Sequence, residues 1–280
     1  IGFNRNKLKK LNSNLDFQLG PSIGFSQAYP ILFMVDQPLG IYWGAETDGV
    51  YSSWEEANAS GIAGAAPGEI RYINHHVDLD DSGQPLEIQE INFDDYVKIG
   101  DPNPDFTYSI SNNFTYKNWD ASILFTGQKG GDLFWVDSWQ LSGLQKTTNI
   151  LSSSYANSWI APLYYENGNY IYDESVGNLN SVNHPGAMIE TGSRAISSDR
   201  NIFDGSFVRL KNINVGYNFD LKEGKNMRVY LAGQNLVVWT DYPGYDPEVR
   251  TYTKNPQKRG VDFGTYPGTR SLLLGLKFNY

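Results

Sequence analysis

The chain has 280 residues, 22 Lys plus Arg against 31 Asp plus Glu, and a formal charge of −9, a balance that argues against binding nucleic acid by phosphate neutralisation. It has no cysteine, which removes disulfides, thiol nucleophiles and Cys-based zinc sites together. Only 40% of residues are hydrophobic, yet 14% are aromatic, a composition suited to pleated strands rather than helices.

The opening residues 1–20 read as a strand met in mid-course, with Leu11, Leu15, Phe17 and Leu19 spaced mostly by two among polar partners. They lack the basic, apolar and small-residue regions of a secretory signal. The expectation is that the chain is the C-terminal part of something longer. Gly20-Pro-Ser-Ile-Gly24 matches the nucleophile-elbow pattern, but no helix pattern follows it, so a strand-to-turn reading is preferred. A further strand is expected around Gly40 to Tyr51. His75, His76 and His184 have no metal-ligand spacing and read as solvated loop residues.

Asp78-Leu-Asp80-Asp81-Ser82-Gly83 places oxygen ligands at positions one, three and five and Gly at six, as in a Ca²⁺ loop. The twelfth position is Gln89 instead of Glu. Asp94 or Asp95 can replace it only if Gln84 to Asn92 loops out. A Ca²⁺ or Mg²⁺ in the 78–95 loop therefore stands beside an ordinary acidic turn as the competing reading.

Phe106 to Gly127 reads as a hairpin turning at Lys117-Asn118. Phe106, Tyr108, Ile110, Phe114 and Tyr116 share one face of the first arm, and Trp119, Ala121, Ile123 and Phe125 one face of the second. Each arm matches the 9–11 residues of a tilted membrane-crossing strand, whereas soluble strands centre on five or six. A second long pair runs from Ser206 to Phe219 and from Met227 to Thr240. The closing stretch Arg270–Tyr280 alternates Leu272, Leu274, Leu276, Phe278 and Tyr280 with Ser271, Leu273, Gly275, Lys277 and Asn279. About seven or eight long strands are expected in all.

Between them, residues 131–205 and 242–269 lack periodicity, and loops of this length are usually functional. Their aromatics Trp135, Trp139, Trp159, Tyr164, Tyr165, Tyr170 and Tyr172 suit stacking on sugar rings or lining a peptide path. Equally, they suit filling the interior of packed loops. Short turns at one end and long loops at the other are the asymmetry of outer-membrane barrels.

Several segments in order resemble the SusC/RagA type of TonB-dependent outer-membrane transporter of Bacteroidota. They are Gln37-Pro-Leu-Gly-Ile-Tyr-Trp-Gly44 with Asp48-Gly-Val-Tyr51, Pro67-Gly-Glu-Ile-Arg-Tyr72, and Ile99-Gly-Asp-Pro-Asn-Pro-Asp-Phe106. Then come Ser206-Phe-Val-Arg-Leu-Lys-Asn-Ile213 with Gly216-Tyr217, Gly233-Gln-Asn-Leu236, Gly244-Tyr-Asp-Pro-Glu248, Tyr266-Pro-Gly-Thr-Arg270 and the closing strand.

The resemblance implies an all-β fold, a transmembrane antiparallel β-barrel, with residues 1–280 as C-terminal strands of a 22-stranded plugged barrel. It implies nutrient import without covalent chemistry, a SusD-type surface lipoprotein lid, and a TonB complex acting through a plug outside this chain. Outer-membrane lipid would surround the barrel. Asp78, Asp80, Ser82 and Asp95 match the family's acidic loop. Gly275, Leu276, Phe278 and Tyr280 match the terminal signal read by the barrel assembly machinery. The 131–205 and 242–269 loops fall where family loops face the exterior and the lid. The rival reading is a secreted β-sandwich that binds carbohydrate, and strand length separates the two.

Overall fold

The computed structural model describes residues 1–12, 15–23, 29–142, 149–173, 176–178, 185–186, 196–249, 251–252 and 254–279. Before the first long strand come β1 (Phe17–Leu19), β2 (Ile31–Met34), β3 (Ile41–Gly44), β4 (Thr47–Val50), α1 (Trp54–Ala59), β5 (Ile70–Tyr72) and β6 (Val97–Gly100). The long hairpin is β7 (Pro104–Tyr116) and β8 (Trp119–Gly130). Next are β9 (Asp132–Trp135), α2 (Ser138–Leu141), α3 (Ser152–Asn157), β10 (Leu163–Glu166), β11 (Asn169–Tyr172) and β12 (Ile202–Asp204). The chain finishes with β13 (Phe207–Asp220), β14 (Asn226–Trp239), β15 (Val261–Asp262) and β16 (Ser271–Asn279).

Five strands make one antiparallel sheet in the order β16-β14-β13-β8-β7. The arms of the two hairpins are 13, 12, 14 and 14 residues long, which excludes the sandwich reading. Lys117, at a φ of 53°, turns β7 into β8, and a short 3-10 turn at Lys222–Gly224 joins β13 to β14. Both short turns lie at one end of the sheet, and the 131–206 and 240–270 connections leave from the other. Gly2 exchanges two backbone hydrogen bonds with Thr107, of 2.8 and 2.9 Å, on the outer edge of β7.

The expectation of seven or eight long strands is corrected to five among the described residues. The stretch 40–51 is split into β3 and β4 at Ala45, which bridges to Ser198 instead of continuing the strand. Gly44 lies against the backbone carbonyl of Ser197, where no Cβ fits. Among the described residues of 1–20 the only strand is β1. These pieces fold into a second body, the loop assembly, built from the four-stranded sheet β1-β2-β3-β6, the three-stranded sheet β12-β9-β15 and the two-stranded pairs β4-β5 and β10-β11. Its largest core cluster joins Ile23, Ile31, Phe33, Tyr42, Phe134, Val136, Trp139 and Val261, so residues far apart in sequence meet there.

Candidate functional site

The sheet has two chemically opposite faces. Cross-strand register aligns Leu274, Leu231, Val215, Ala121 and Phe114 in one row. The next row toward the short turns is Leu276, Val229, Tyr217, Trp119 and Tyr116. Leu272 and Leu274 are 72% and 74% exposed, so the apolar face is uncovered. Aromatic rings cluster at both ends of it. Trp119, Tyr217 and Phe219 contact each other beside the short turns, with centroids 5.0 and 4.7 Å apart. Phe106 and Tyr108 lie 6.0 Å apart near the long connections, where Phe125 and Trp239 also meet, at 6.5 Å. From Phe106 to Tyr116 a strand climbs about 33 Å at ~3.3 Å per residue. At a tilt of about 40° that gives a height of about 25 Å, the height of the apolar band of an outer-membrane barrel.

The opposite face is polar. Arg228 on β14 donates from Nε and Nη2 to both carboxylate oxygens of Asp120 on β8, at 2.9 and 2.5 Å. Nη2 also donates to Asn214 Oδ1 at 2.8 Å, and Asn218 donates to Asp120 Oδ1 at 2.9 Å. The guanidinium lies 4.8 Å from the centre of the Tyr230 ring. Glycine makes this packing fit: a Cβ on Gly216 would collide with Arg228, and one on Gly275 with the Tyr230 ring. Such aromatic cover of a strand glycine pins register between neighbouring strands.

Where the sheet meets the loop assembly, three of the family-like segments converge. Arg209 donates from Nη2 to Asp246 Oδ1 at 2.5 Å, and its Nε lies 2.8 Å from Glu248 Oε2. Glu248 N–H and Gly268 N–H donate to Asp246 Oδ1 and Oδ2 at 2.9 and 3.3 Å. A register shift between Leu210 and Asn212 leaves Lys211 as an extra residue, and its Nζ reaches Glu248 at 3.4 Å. Bulges re-aim side chains in this way. The two side chains of the central pair, Arg209 and Asp246, are only 4% and 9% exposed. No spacing in the sequence marks this knot, although its members lie in the 206–213, 244–248 and 266–270 segments that carry the resemblance.

The four residues matched to the acidic loop are not gathered into one cluster. Asp80 Oδ1 accepts from Ser82 N–H, Ser82 Oγ–H and Gln84 N–H at 2.8, 2.7 and 2.8 Å. The Ser82 hydroxyl first, then the Gln84 amide, holds its carboxyl below the ordinary value. Asp95 is fully buried and accepts from His75, His76 and Asn92 amides at 3.0, 2.9 and 2.9 Å. Asp78 Oδ1 accepts from the Asn92 side chain at 3.3 Å. Among the described residues no group of three or more His, Cys, Asp or Glu is placed to hold a metal ion. His184 lies outside the described residues.

The loop tryptophans turn inward. Trp139 meets Phe134 edge-on at 5.7 Å, and Trp135 meets Phe203 and Tyr242 at 5.6 and 6.1 Å. Trp159 is buried as well. Trp135 also lines a cavity of about 310 Å³ with Ser138, Leu151, Asn201 and Phe203. Tyr164 and Tyr165 sit on the β10 backbone and Tyr170 and Tyr172 on β11; the side chains of all four lie outside what is described. Of the terminal residues, Gly275, Leu276 and Phe278 are on β16, and Tyr280 lies outside the described residues.

No family model matches the sequence. Over 99% of its length the chain is 33% identical to the TonB-dependent receptor P3 of Formosa agariphila, covering 26% of that protein. It is 31% identical to the TonB-dependent receptor SusC of Bacteroides thetaiotaomicron over 40% of the chain. The fold superposes on a solved structure of the RagAB peptide transporter with a TM-score of 0.66 at 16% identity, over 99% of this chain and 26% of that one. The chain belongs to the SusC/RagA-type TonB-dependent receptors. It spans about a quarter of the length of the receptor P3. In this receptor family the five-stranded sheet is a portion of the barrel wall, and the apolar and polar faces are the two sides of that wall.

Proposed function

We propose that this chain forms part of the wall and loops of an outer-membrane importer of oligomeric nutrients, glycan or peptide, without covalent chemistry of its own. The observation that carries the reading is the sheet itself: strands of 12–14 residues with an uncovered apolar face bracketed by aromatic rings and a polar face laced by ion pairs. Such a wall separates lipid from a hydrated lumen. The loop assembly at the long-connection end then forms part of the cavity that receives cargo beneath a SusD-like lipoprotein. Import is energised through a plug and the TonB complex, and the β16 terminus is read by the barrel assembly machinery.

The test begins with the full protein in its own cells. Heat-modifiable migration of outer-membrane extracts, co-purification of a surface lipoprotein, and loss of uptake of one labelled oligomer on deletion are the expected results. A freely soluble full-length protein would sink the reading.

A further inference from the structure

We infer that the loop assembly carries a pocket for one sugar ring at a chain end or branch of a glycan, enclosed by β9, α2, α3 and β12. The cavity measures about 310 Å³, at the small end of the ~300–1,000 Å³ of ordinary ligand sites, which admits one ring and not a chain threaded through it. Its floor is fixed by the fold. Asn201, only 1% exposed, donates from Nδ2 to Ser138 Oγ at 2.9 Å, and that hydroxyl donates to the Trp135 carbonyl at 2.6 Å. A buried polar network whose members are all bonded holds one geometry.

The walls and the uncommitted polar groups name the ligand. Trp135 and Phe203 put aromatic carbon along the cavity and Leu151 adds aliphatic carbon, surfaces suited to the C–H face of a sugar. Ser154 on α3 lines the same space and is only 9% exposed, yet its hydroxyl has no hydrogen-bond partner among the described residues. The indole N–H of Trp135, equally buried, has none there either. Buried polar groups in folded proteins are bonded, so both call for a partner inside the cavity. Ser142 donates its hydroxyl proton to the Ser138 carbonyl at 2.5 Å, which leaves its oxygen as an acceptor, and Arg200 brings donors to the lining. Mixed donors and acceptors set among carbon walls match the hydroxyls of a sugar ring.

A peptide finds less. The strand that carries Trp135, β9, is paired on both edges by β12 and β15, so it offers no backbone edge for strand addition. No carboxylate among the described residues lines the cavity to receive an ammonium group. The inference rests on the importer reading above and narrows its cargo to a glycan held by one exposed ring.

The full receptor, purified from outer membranes with any lipoprotein that accompanies it, is mixed with methyl glycosides of common hexoses, pentoses and uronic acids, and contact is read by saturation-transfer NMR. Heat-modifiable migration confirms the fold of each variant. At least one glycoside is expected to bind the parent and Tyr155→Ala, which alters an exposed position on the same helix. Ser154→Phe, which fills the cavity, should weaken that binding about tenfold or more. Ser154→Ala, which removes the hydroxyl and keeps the space, should weaken it several-fold. In a trisaccharide of the bound sugar, an end ring should be saturated several-fold more than the middle one. Absence of any bound glycoside, equal affinity in the parent and both Ser154 variants, or equal saturation of all rings overturns the inference. So does binding of tripeptide amides that Ser154→Phe abolishes, which would assign the cavity to a peptide. Absence of the full protein from outer membranes would overturn the importer reading instead, so the two failures are distinguishable.

Discussion

The five-stranded sheet and the loop assembly invert each other's burial. In the loop assembly Tyr42, Phe134 and Val261 are wholly buried, whereas in the sheet the large apolar residues Leu272, Leu274, Leu276 and Phe278 stand in the open. One chain therefore follows two solvent rules. The loops are organised against water, around interdigitated cores packed like any globular interior. The sheet has no core, and its apolar residues make sense only with hydrocarbon on one side.

The comparison can be broken most directly at the two centres that hold the loop assembly. Phe134→Ala should cost about 3–5 kcal/mol, the range for truncating a buried aromatic. The loss should show as a lower melting temperature in the fluorescence of Trp139, whose ring meets Phe134 edge-on, while strand content by circular dichroism stays put. Arg209→Ala should cost a similar ~3–5 kcal/mol by stranding the buried Asp246 carboxylate. Limited proteolysis should then cut within residues 241–268 and spare the hairpins. Protection unchanged in that segment would show that the knot does not fasten it.

The sheet gives the converse test. Leu274→Arg should lose about 2–4 kcal/mol of stability in bilayers, the cost of a cation near the middle of the lipid face. Asn113→Arg, on the opposite face, should cost little. Equal losses at both positions would remove the two-sided wall.

Smaller effects come from titration, and their signs differ. Burial, reinforced by Asp101 and Asp204, raises the Asp132 carboxyl above its ordinary value. Stability linked to it is full below the unfolded value and declines as pH rises through the folded one. Asp132→Asn should therefore flatten that decline in thermal melts of the loop assembly. Asp80 is lowered, so its stabilisation is present above the unfolded value and fades as pH falls through the folded one. Asp80→Ala should speed hydrogen exchange, corrected for intrinsic rates, at the Ser82 and Gln84 amides and leave the sheet unchanged.

Strand pairs and their faces were legible in the sequence because period-two alternation over ten or more residues is a local property. The hairpin turning at Lys117-Asn118, the pair closing through 220–226 and the outward row Leu272, Leu274, Leu276 and Phe278 needed no knowledge of distant partners. The resemblance named the right family from short segments, without showing that three of them meet at Arg209. The loop assembly was illegible for the opposite reason. Its strands are two to four residues long, too short for a period to register. Their partners are also remote: Phe134 pairs with Ile202 on one side and Val261 on the other. Trp135 and Trp139 offered the same sequence signal whether they stacked on cargo or on Phe203 and Phe134.

The amino-acid sequence by itself thus determined which segments form the long strands and, where alternation is strict, which face their side chains take, since alternation and strand length depend on neighbours along the chain. Only the tertiary structure decided that the aperiodic connections form a packed body, that Arg209 fastens it through Asp246 and Glu248, and that the Tyr108 ring packs against Gly127. Those features arise where distant backbones close on one another, and no local pattern records that closure.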